Sequence, residues 1–281
     1  MTLARFTDRG TIHGMREAMT GVLDLRDIAE TIALEAGELA FRRRSEGVSI
    51  AASKSSLEDV VTEADREVET LIRGRLAELR PDDAFLGEES GVEGGSSGLT
   101  WVVDPIDGTV NYLYGIPDYC VSIAVVEGEP DPASWTSLAG VVFAPAKREL
   151  FRAAVGDGAF RGDERLAVNA EVRPELALVG TGFGYAAEKR VKQAAVVASL
   201  VAEIRDIRRI GAAALDLCAV ACGRLDGYYE SGLNPWDQAA GALIAREAGA
   251  RVEGANGAPS DRDLTIAASP SLFDFLHERV V

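Results

Sequence analysis

The 281-residue sequence predicts a layered fold of mixed α and β structure, on three observations. Apolar residues recur at helical spacing in separate segments, the first running through Leu25, Ile28, Ala29, Ile32, Ala33, Ala36, Leu39 and Ala40. Short apolar runs at 99–103 and 120–126 are bounded by turn residues and read as buried strands. Helical and strand-like segments alternate along the chain, and a hydrophobic content of 47% is enough for a substantial core.

Residues 1–22 show little periodicity, so an arm is expected over 1–24. The first helix should end near Arg42, Arg43 and Arg44, where cations suit the negative end of the dipole. The polar, Gly/Ser-containing stretch 45–58 reads as a connection. A second helix starts near Thr62 and runs to Leu79, closed by Pro81. Phe85, Leu86 and Gly87 form a strand ending at Glu88 and Glu89. Residues 91–98 read as a glycine-rich surface loop, without the Gly-Lys-Ser/Thr ending of a phosphate cradle. Beyond strands 99–103 and 120–126 come a turn at 128–134, strands at 137–143 and 149–154, and a hairpin connection at 156–162. That neighbourhood is the expected seam between an amino-terminal half, 25–155, holding most of the acids of interest, and a carboxyl-terminal half, 156–281, the two forming one functional unit. In the second half, strands are expected at 177–181, within 205–210, at 226–229 and at 264–268. Helices are expected at 188–203, 212–222, 237–247 with Gly249 as a carboxyl-terminal cap, and 271–279. No internal repeat is evident.

Composition narrows the function. Forty-five acids against 29 Lys and Arg give a net charge of −16, which disfavours a nucleic-acid duplex or an anionic membrane as the main partner. An anionic substrate would need positive charge supplied locally, and divalent cations would supply it. The two histidines, His13 and His277, lie at opposite ends, against histidine base chemistry and a His-rich zinc site. Cys120, Cys218 and Cys222 sit in apolar surroundings and read as free buried thiols. No apolar run approaches about 18 residues, and no basic-then-apolar leader begins the chain; a cytoplasmic setting is the expectation.

The chemistry concentrates at 101–111. Asp104 and Asp107 stand three apart at the exit of a strand, with Pro105 restricting the backbone and Gly108 letting it turn so that both carboxylates can face one point. Asp107 is also a candidate helix cap, leaving the Gly108 and Thr109 amides to an anion. Two carboxylates so close are costly unless a cation neutralises them. Their spacing differs from the Asp-x-Asp of enzymes that form an aspartyl-phosphate, which argues against a covalent intermediate. Glu88 and Glu89 are either solvated neighbours or a further part of the same site. Asp65 lies in an early helical turn within reach of a shared cation, with Asp59 and Glu63 as nearby competitors. Asp237, after Pro235 and Trp236, is a cap candidate that could bring a carboxylate from the other half. Carboxylate oxygens suit magnesium better than zinc.

Taken together, these segments resemble the inositol monophosphatase family, lithium-sensitive, magnesium-dependent phosphomonoesterases. The resemblance rests on 101–111, Lys54-Ser55-Ser56 with 59–65, 87–90, 211–218, 223–230 and 236–241, in that order. It implies an α+β fold, a layered αβαβα sandwich, and a homodimer. It further implies that Glu88, Asp104 and the Ile106 carbonyl hold one Mg2+, that Asp104, Asp107 and Asp237 hold a second, and that a third, weaker ion uses Glu88 and water. By the same resemblance Glu88 and Thr109 orient the attacking water, Asp65 supports Thr109, and the Gly108 and Thr109 amides receive phosphate oxygens. Lys54 and Glu89 would be secondary contributors, and Ala213, Glu230 and Asp237 would contact the alcohol. The expected substrate is inositol monophosphate, cleaved by in-line attack of water. Histidinol phosphate, fructose bisphosphate, NADP and adenosine bisphosphate are the alternatives, and 112–117 and 226–230 look more like the inositol-type branch. A regulatory scaffold or a small-molecule binding protein on the same fold is the non-enzymatic alternative.

Overall fold

The structure, a computed structural model, describes residues 9–47, 50–53 and 60–281. Its order is α1 (Arg9–Glu46), β1 (Ile50–Ser53), β2 (Val60–Thr62), α2 (Glu63–Leu79), β3 (Ala84–Gly87), β4 (Gly91–Glu93), β5 (Leu99–Asp107), α3 (Thr109–Tyr114), β6 (Cys120–Glu127), β7 (Thr136–Ala144) and β8 (Glu149–Ala154). There follow β9 (Gly158–Arg161), β10 (Glu164–Arg165), β11 (Leu178–Thr181), α4 (Ala187–Leu200), β12 (Asp206–Arg208), α5 (Ala213–Ala221), β13 (Gly227–Glu230), α6 (Pro235–Glu247), β14 (Arg251–Glu253), β15 (Thr265–Ala268) and α7 (Pro270–Val280).

Two sheets organise these elements: an eight-stranded sheet in the order β10-β9-β8-β7-β6-β5-β3-β4 and a five-stranded sheet in the order β12-β11-β13-β15-β14, with β1 and β2 forming a separate pair. Strand alternation assigns each sheet face a helical layer. On β6, Val121, Ile123 and Val125 pack with Leu25, Ile32 and Ala36 of α1 and Val68 and Ile72 of α2. Ala124 and Val126 point the other way, into a cluster with Leu217 and Val220 of α5 and Leu243 and Ile244 of α6. That cluster also takes Tyr228 and Ala267 from the second sheet, so α5 and α6 fill the space between the sheets. The far face of the second sheet packs Val179, Tyr229 and Ile266 against Leu200 of α4 and Leu272, Phe273 and Leu276 of α7. The result is the expected αβαβα sandwich.

Four expectations need correction. The arm expected over 1–24 is helical from Arg9, because α1 continues through it as one rod. The loop expected at 91–98 begins with β4, which pairs antiparallel with β3. The seam expected between 155 and 156 falls inside the first sheet, because β9 pairs with β8 and β10 with β9; the chain leaves that sheet only after Arg165. Asp107 does not cap α3: the cap of that helix is Gly108, in the left-handed region at φ 91°. Gly108 is required there twice over, since a Cβ would also stand 2.8 Å from the Asp118 carbonyl oxygen.

Close approach of α5 and α6 sets the position of the middle layer. A Cβ at Gly241 of α6 would lie 2.8 Å from the Leu217 Cβ and 3.2 Å from the Ala214 carbonyl oxygen of α5. Gly241→Val is therefore expected to force the helices apart and to cost about 1–3 kcal/mol in a urea unfolding titration. An unchanged midpoint would contradict this packing.

Candidate active site

The acids converge because of strand pairing. β3 and β5 run parallel, with Gly87 opposite Val103, and the Glu88 amide donates to the Val103 carbonyl at 3.2 Å. Glu88 and Asp104 therefore leave neighbouring strands at the same end of the sheet. Between Asp104 and Asp107 the register with β6 shifts, at Pro105, which has no N–H for the ladder. The Ile106 amide turns back to donate to Asp104 Oδ1 at 3.0 Å.

Helix starts complete the cleft. The Ala214 amide, at the start of α5, donates to Asp107 Oδ2 at 2.7 Å, and the Cys120 thiol lies 3.7 Å from the same oxygen. Ala213 is the first residue of that helix and is buried. Asp237 is the third residue of α6, behind Pro235 at its first position, and its Oδ2 accepts from the Asn234 amide at 2.6 Å. It thus partners the start of its helix rather than capping it. Asp65 plays the same part in α2, where its Oδ2 accepts from the Thr62 amide at 2.9 Å and from the Thr62 hydroxyl. Its other oxygen stands 3.3 Å from Thr109 Oγ1, and that hydroxyl also lies 3.2 Å from the Ile106 carbonyl. At the start of α3, the Gly108 and Thr109 amides precede the helical ladder. Glu230 ends β13 and accepts from the Tyr228 hydroxyl at 2.6 Å.

Electrostatics set this cleft apart. Burial, then Glu88, Asp107 and Asp237 in turn, push Asp104 well above the usual carboxylate range. Burial pushes Asp107 up to about 7 against the opposing Ala214 hydrogen bond, with Glu88 and Glu230 adding to the rise. Asp237, at the partly open mouth, is pushed well up by burial, then by Glu88 and Asp107. Asp65 rises to about 7 through burial, despite its Thr62 hydrogen bonds. Asp104, Asp107 and Asp237 form no ion pair with Lys or Arg among the described residues. Nor do three or more His, Cys, Asp or Glu side chains there form a ready-made metal cage. Oxygen donors that repel one another and lack a basic partner nonetheless suit a hard divalent cation, which would relieve both strains.

Lys54 and Asp59 lie outside the described residues. Glu89 lies beside Glu88, its amide donating to Glu69 Oε2 at 2.8 Å. Glu69 was not singled out by the sequence, and neither was Asp216, which is 1% exposed with an Oδ1 that no partner meets. Burial, then Glu230 and Asp107, push Asp216 well up. The signal for it was present as the single acid of the otherwise apolar α5. Thr62 was also legible, three residues before Asp65 in capping-box spacing. Cys120 and Cys218 are buried free thiols, whereas Cys222 is partly exposed.

A layered αβαβα protein with a cluster of buried, mutually interacting carboxylates at strand exits and helix starts is thereby defined. The inositol monophosphatase family model matches residues 23–280. Inositol-1-monophosphatase SuhB of Mycobacterium tuberculosis is 47% identical over 271 residues, covering 90% of this chain and 91% of that one. Nus factor SuhB of Xylella fastidiosa is 40% identical over 232 residues, 82% of each chain. The solved structure of the extragenic suppressor protein suhB from Bartonella henselae superposes with a TM-score of 0.82 at 35% identity, over 91% of this chain and 98% of that one. The chain belongs to the inositol monophosphatase family.

The raised acids make metal-free stability depend on pH. Asp65 and Asp107 bind protons more tightly folded than unfolded, so their stabilising protonation is complete below about pH 4 and is lost as pH rises through about 7. In chelator, the melting temperature is expected to fall between about pH 5 and pH 8, and saturating Mg2+ should flatten the fall. Scanning calorimetry checks this; a melting temperature that rises over the same interval in chelator would contradict it.

Proposed function

We propose that the protein is a magnesium-dependent phosphomonoesterase that hydrolyses inositol monophosphate to inositol and phosphate. The observation carrying this reading is that Asp104, Asp107 and Asp237 are buried, raise one another and meet no basic partner among the described residues, in a member of this family. Glu88, Asp104, the Ile106 carbonyl, Asp107 and Asp237 would hold two or three Mg2+ ions. Bound magnesium would supply positive charge to the phosphoryl oxygens and to the leaving oxygen.

The chain's own residues do the rest. The Gly108 and Thr109 amides receive phosphate oxygens at the start of α3. Thr109 can donate its single hydroxyl proton to Asp65 while accepting from the attacking water, with Glu88 orienting that water. Asp65, near neutrality by its burial, is suited to take the water's proton through Thr109. Ala213, Glu230 and Asp237 face the alcohol, and Glu230 accepts from hydroxyls. Glu89, and Lys54 outside the described residues, act as secondary contributors. Family resemblance supports a homodimer. Among the described residues no helix is long and apolar enough to cross a membrane, in keeping with a cytoplasmic setting.

The relative named Nus factor SuhB favours a second reading, a regulatory scaffold on the same fold. Asp104→Ala separates the two. An enzyme should lose Mg2+-dependent phosphate release from inositol 1-phosphate by about a hundred- to thousandfold, while the metal-free melting temperature at pH 8 holds or rises because one repelling charge is gone. Wild-type protein that releases no phosphate from inositol 1-phosphate, histidinol phosphate, fructose 1,6-bisphosphate, NADP or adenosine 3',5'-bisphosphate would overturn the enzymatic reading.

A further inference from the structure

Helix α2 carries two buried carboxylates one turn apart, on the side that also buries Val68 and Ile72. Asp65, 1% exposed, reaches Thr109, whereas Glu69, 2% exposed, reaches the turn that follows β3. A carboxylate withdrawn from water is costly unless it is hydrogen-bonded, so the partner Glu69 meets is informative. Its Oε2 accepts from the Glu89 amide at 2.8 Å.

That amide lies where the sheet has ended. The last ladder pairs of β3 are Gly87 with Val103 of β5 and Gly87 with Gly91 of β4, and residues 88–90 form the turn between β3 and β4. Gly87 is what lets the side chain come so close: a Cβ there would overlap Glu69 Oε2 and stand 2.7 Å from its Cδ. Glu88 is therefore held from two sides. Its own N–H donates to the Val103 carbonyl at 3.2 Å, and the next N–H along the chain donates to Glu69. Anchoring both peptides that flank a residue restricts its φ and ψ, and with them the direction in which its Cβ leaves the backbone. Only one of the two anchors comes from the sheet. Successive turns of α2 thus back the two residues assigned to the attacking water: Asp65 stands 3.3 Å from Thr109 Oγ1, and Glu69 holds the peptide that follows Glu88.

We propose that Glu69 is a positioning residue that aims Glu88 at the metal and the water, acting through the Glu89 amide as a hydrogen-bond acceptor and not through its charge. The proposal rests on the metal-dependent phosphomonoesterase reading of the acidic site. Loss of an outer partner of this kind costs about 10- to 100-fold in metal affinity or activity.

Three variants separate acceptor from charge. Glu69→Gln keeps an acceptor of the same reach without the charge, Glu69→Asp keeps the charge but withdraws it by one methylene, and Glu69→Met keeps the volume and removes both. Titration of the substrate-free protein with Mn2+, counting free ion by its electron paramagnetic resonance, gives the metal affinity; Mg2+-dependent hydrolysis of inositol 1-phosphate gives kcat and KM. Glu69→Gln should bind Mn2+ within about twofold of the wild type, whereas Glu69→Asp and Glu69→Met should bind it about tenfold more weakly and lose kcat by a similar factor. Their KM at saturating Mg2+ should hold, because the Gly108 and Thr109 amides are untouched. A glutamate that served only to hold the fold would lower the melting temperature and leave Mn2+ affinity alone, and that result would overturn the proposal. Weak binding in Glu69→Gln with Glu69→Asp spared would overturn it too, since charge would then be the active property. If Glu69→Met does not fold, Glu69→Gln and Glu69→Asp still decide. Wild-type protein that binds no Mn2+ would overturn the metal-dependent reading itself, an outcome distinct from variants that match an ion-binding wild type.

Discussion

Mutual repulsion among Asp104, Asp107, Asp237 and Glu88 is the constraint on which the rest of this structure depends. Moving charged groups out of water costs several kcal/mol each unless they are paired. The fold nevertheless directs these acids together through several independent devices. Parallel pairing of β3 with β5 aligns Glu88 with Asp104, the irregularity at Pro105 turns Asp107 back, and the tight contact of Gly241 with α5 fixes the helix that carries Asp237. The thick apolar layers on both sides of the first sheet supply the stability against which this strain is held.

Charge is distributed to the same end. Across the outer surface many basic side chains are spent on ion pairs, such as Arg152 with Glu30 and Arg279 with Glu203. At Asp107, Asp237 and Asp65, among the described residues, neutral donors take their place: the Ala214 amide on Asp107, the Asn234 amide on Asp237 and the Thr62 amide and hydroxyl on Asp65. Each of these donors sits at the start of a helix or just before it, where backbone N–H groups lack helical partners and the dipole is positive. Such contacts orient a carboxylate without neutralising it. A protein of net charge −16 thereby keeps the demand for positive charge localised where a phosphate ester would bind.

Much of this was legible in the sequence where periodicity was strong. The strands at 99–103, 120–126 and 137–143 and the helix ending at Leu79 are recovered close to their expected bounds, because an apolar face or a fully apolar run marks them. The start of α1 was not legible: Gly10, Gly14 and Gly21 interrupt residues of mixed polarity, and no stripe emerges before Leu25. β4, β10 and β14 are two or three residues long, too short for an alternating pattern to register. The seam was misplaced because Gly156 and Gly158 mark a turn within a sheet as plainly as they would mark a boundary between sheets. In the cleft, Asp104, Asp107 and Gly108 were readable from one short motif. Glu69 was not, because only the tertiary fold brings it beside Glu89.

The central claim is that acids from both parts of the chain share hard cations. Its most direct test is a crystal structure of the wild-type protein grown with Mn2+ in place of Mg2+, using anomalous scattering to locate the ions. The account predicts anomalous peaks between Asp104, Asp107 and Asp237 and beside Glu88, with carboxylate oxygens about 2.0–2.6 Å away, as for oxygen-bound divalent ions. A well-ordered cleft with no peak there at saturating Mn2+, and with the Asp237 side chain turned away from Asp104 and Asp107, would contradict it.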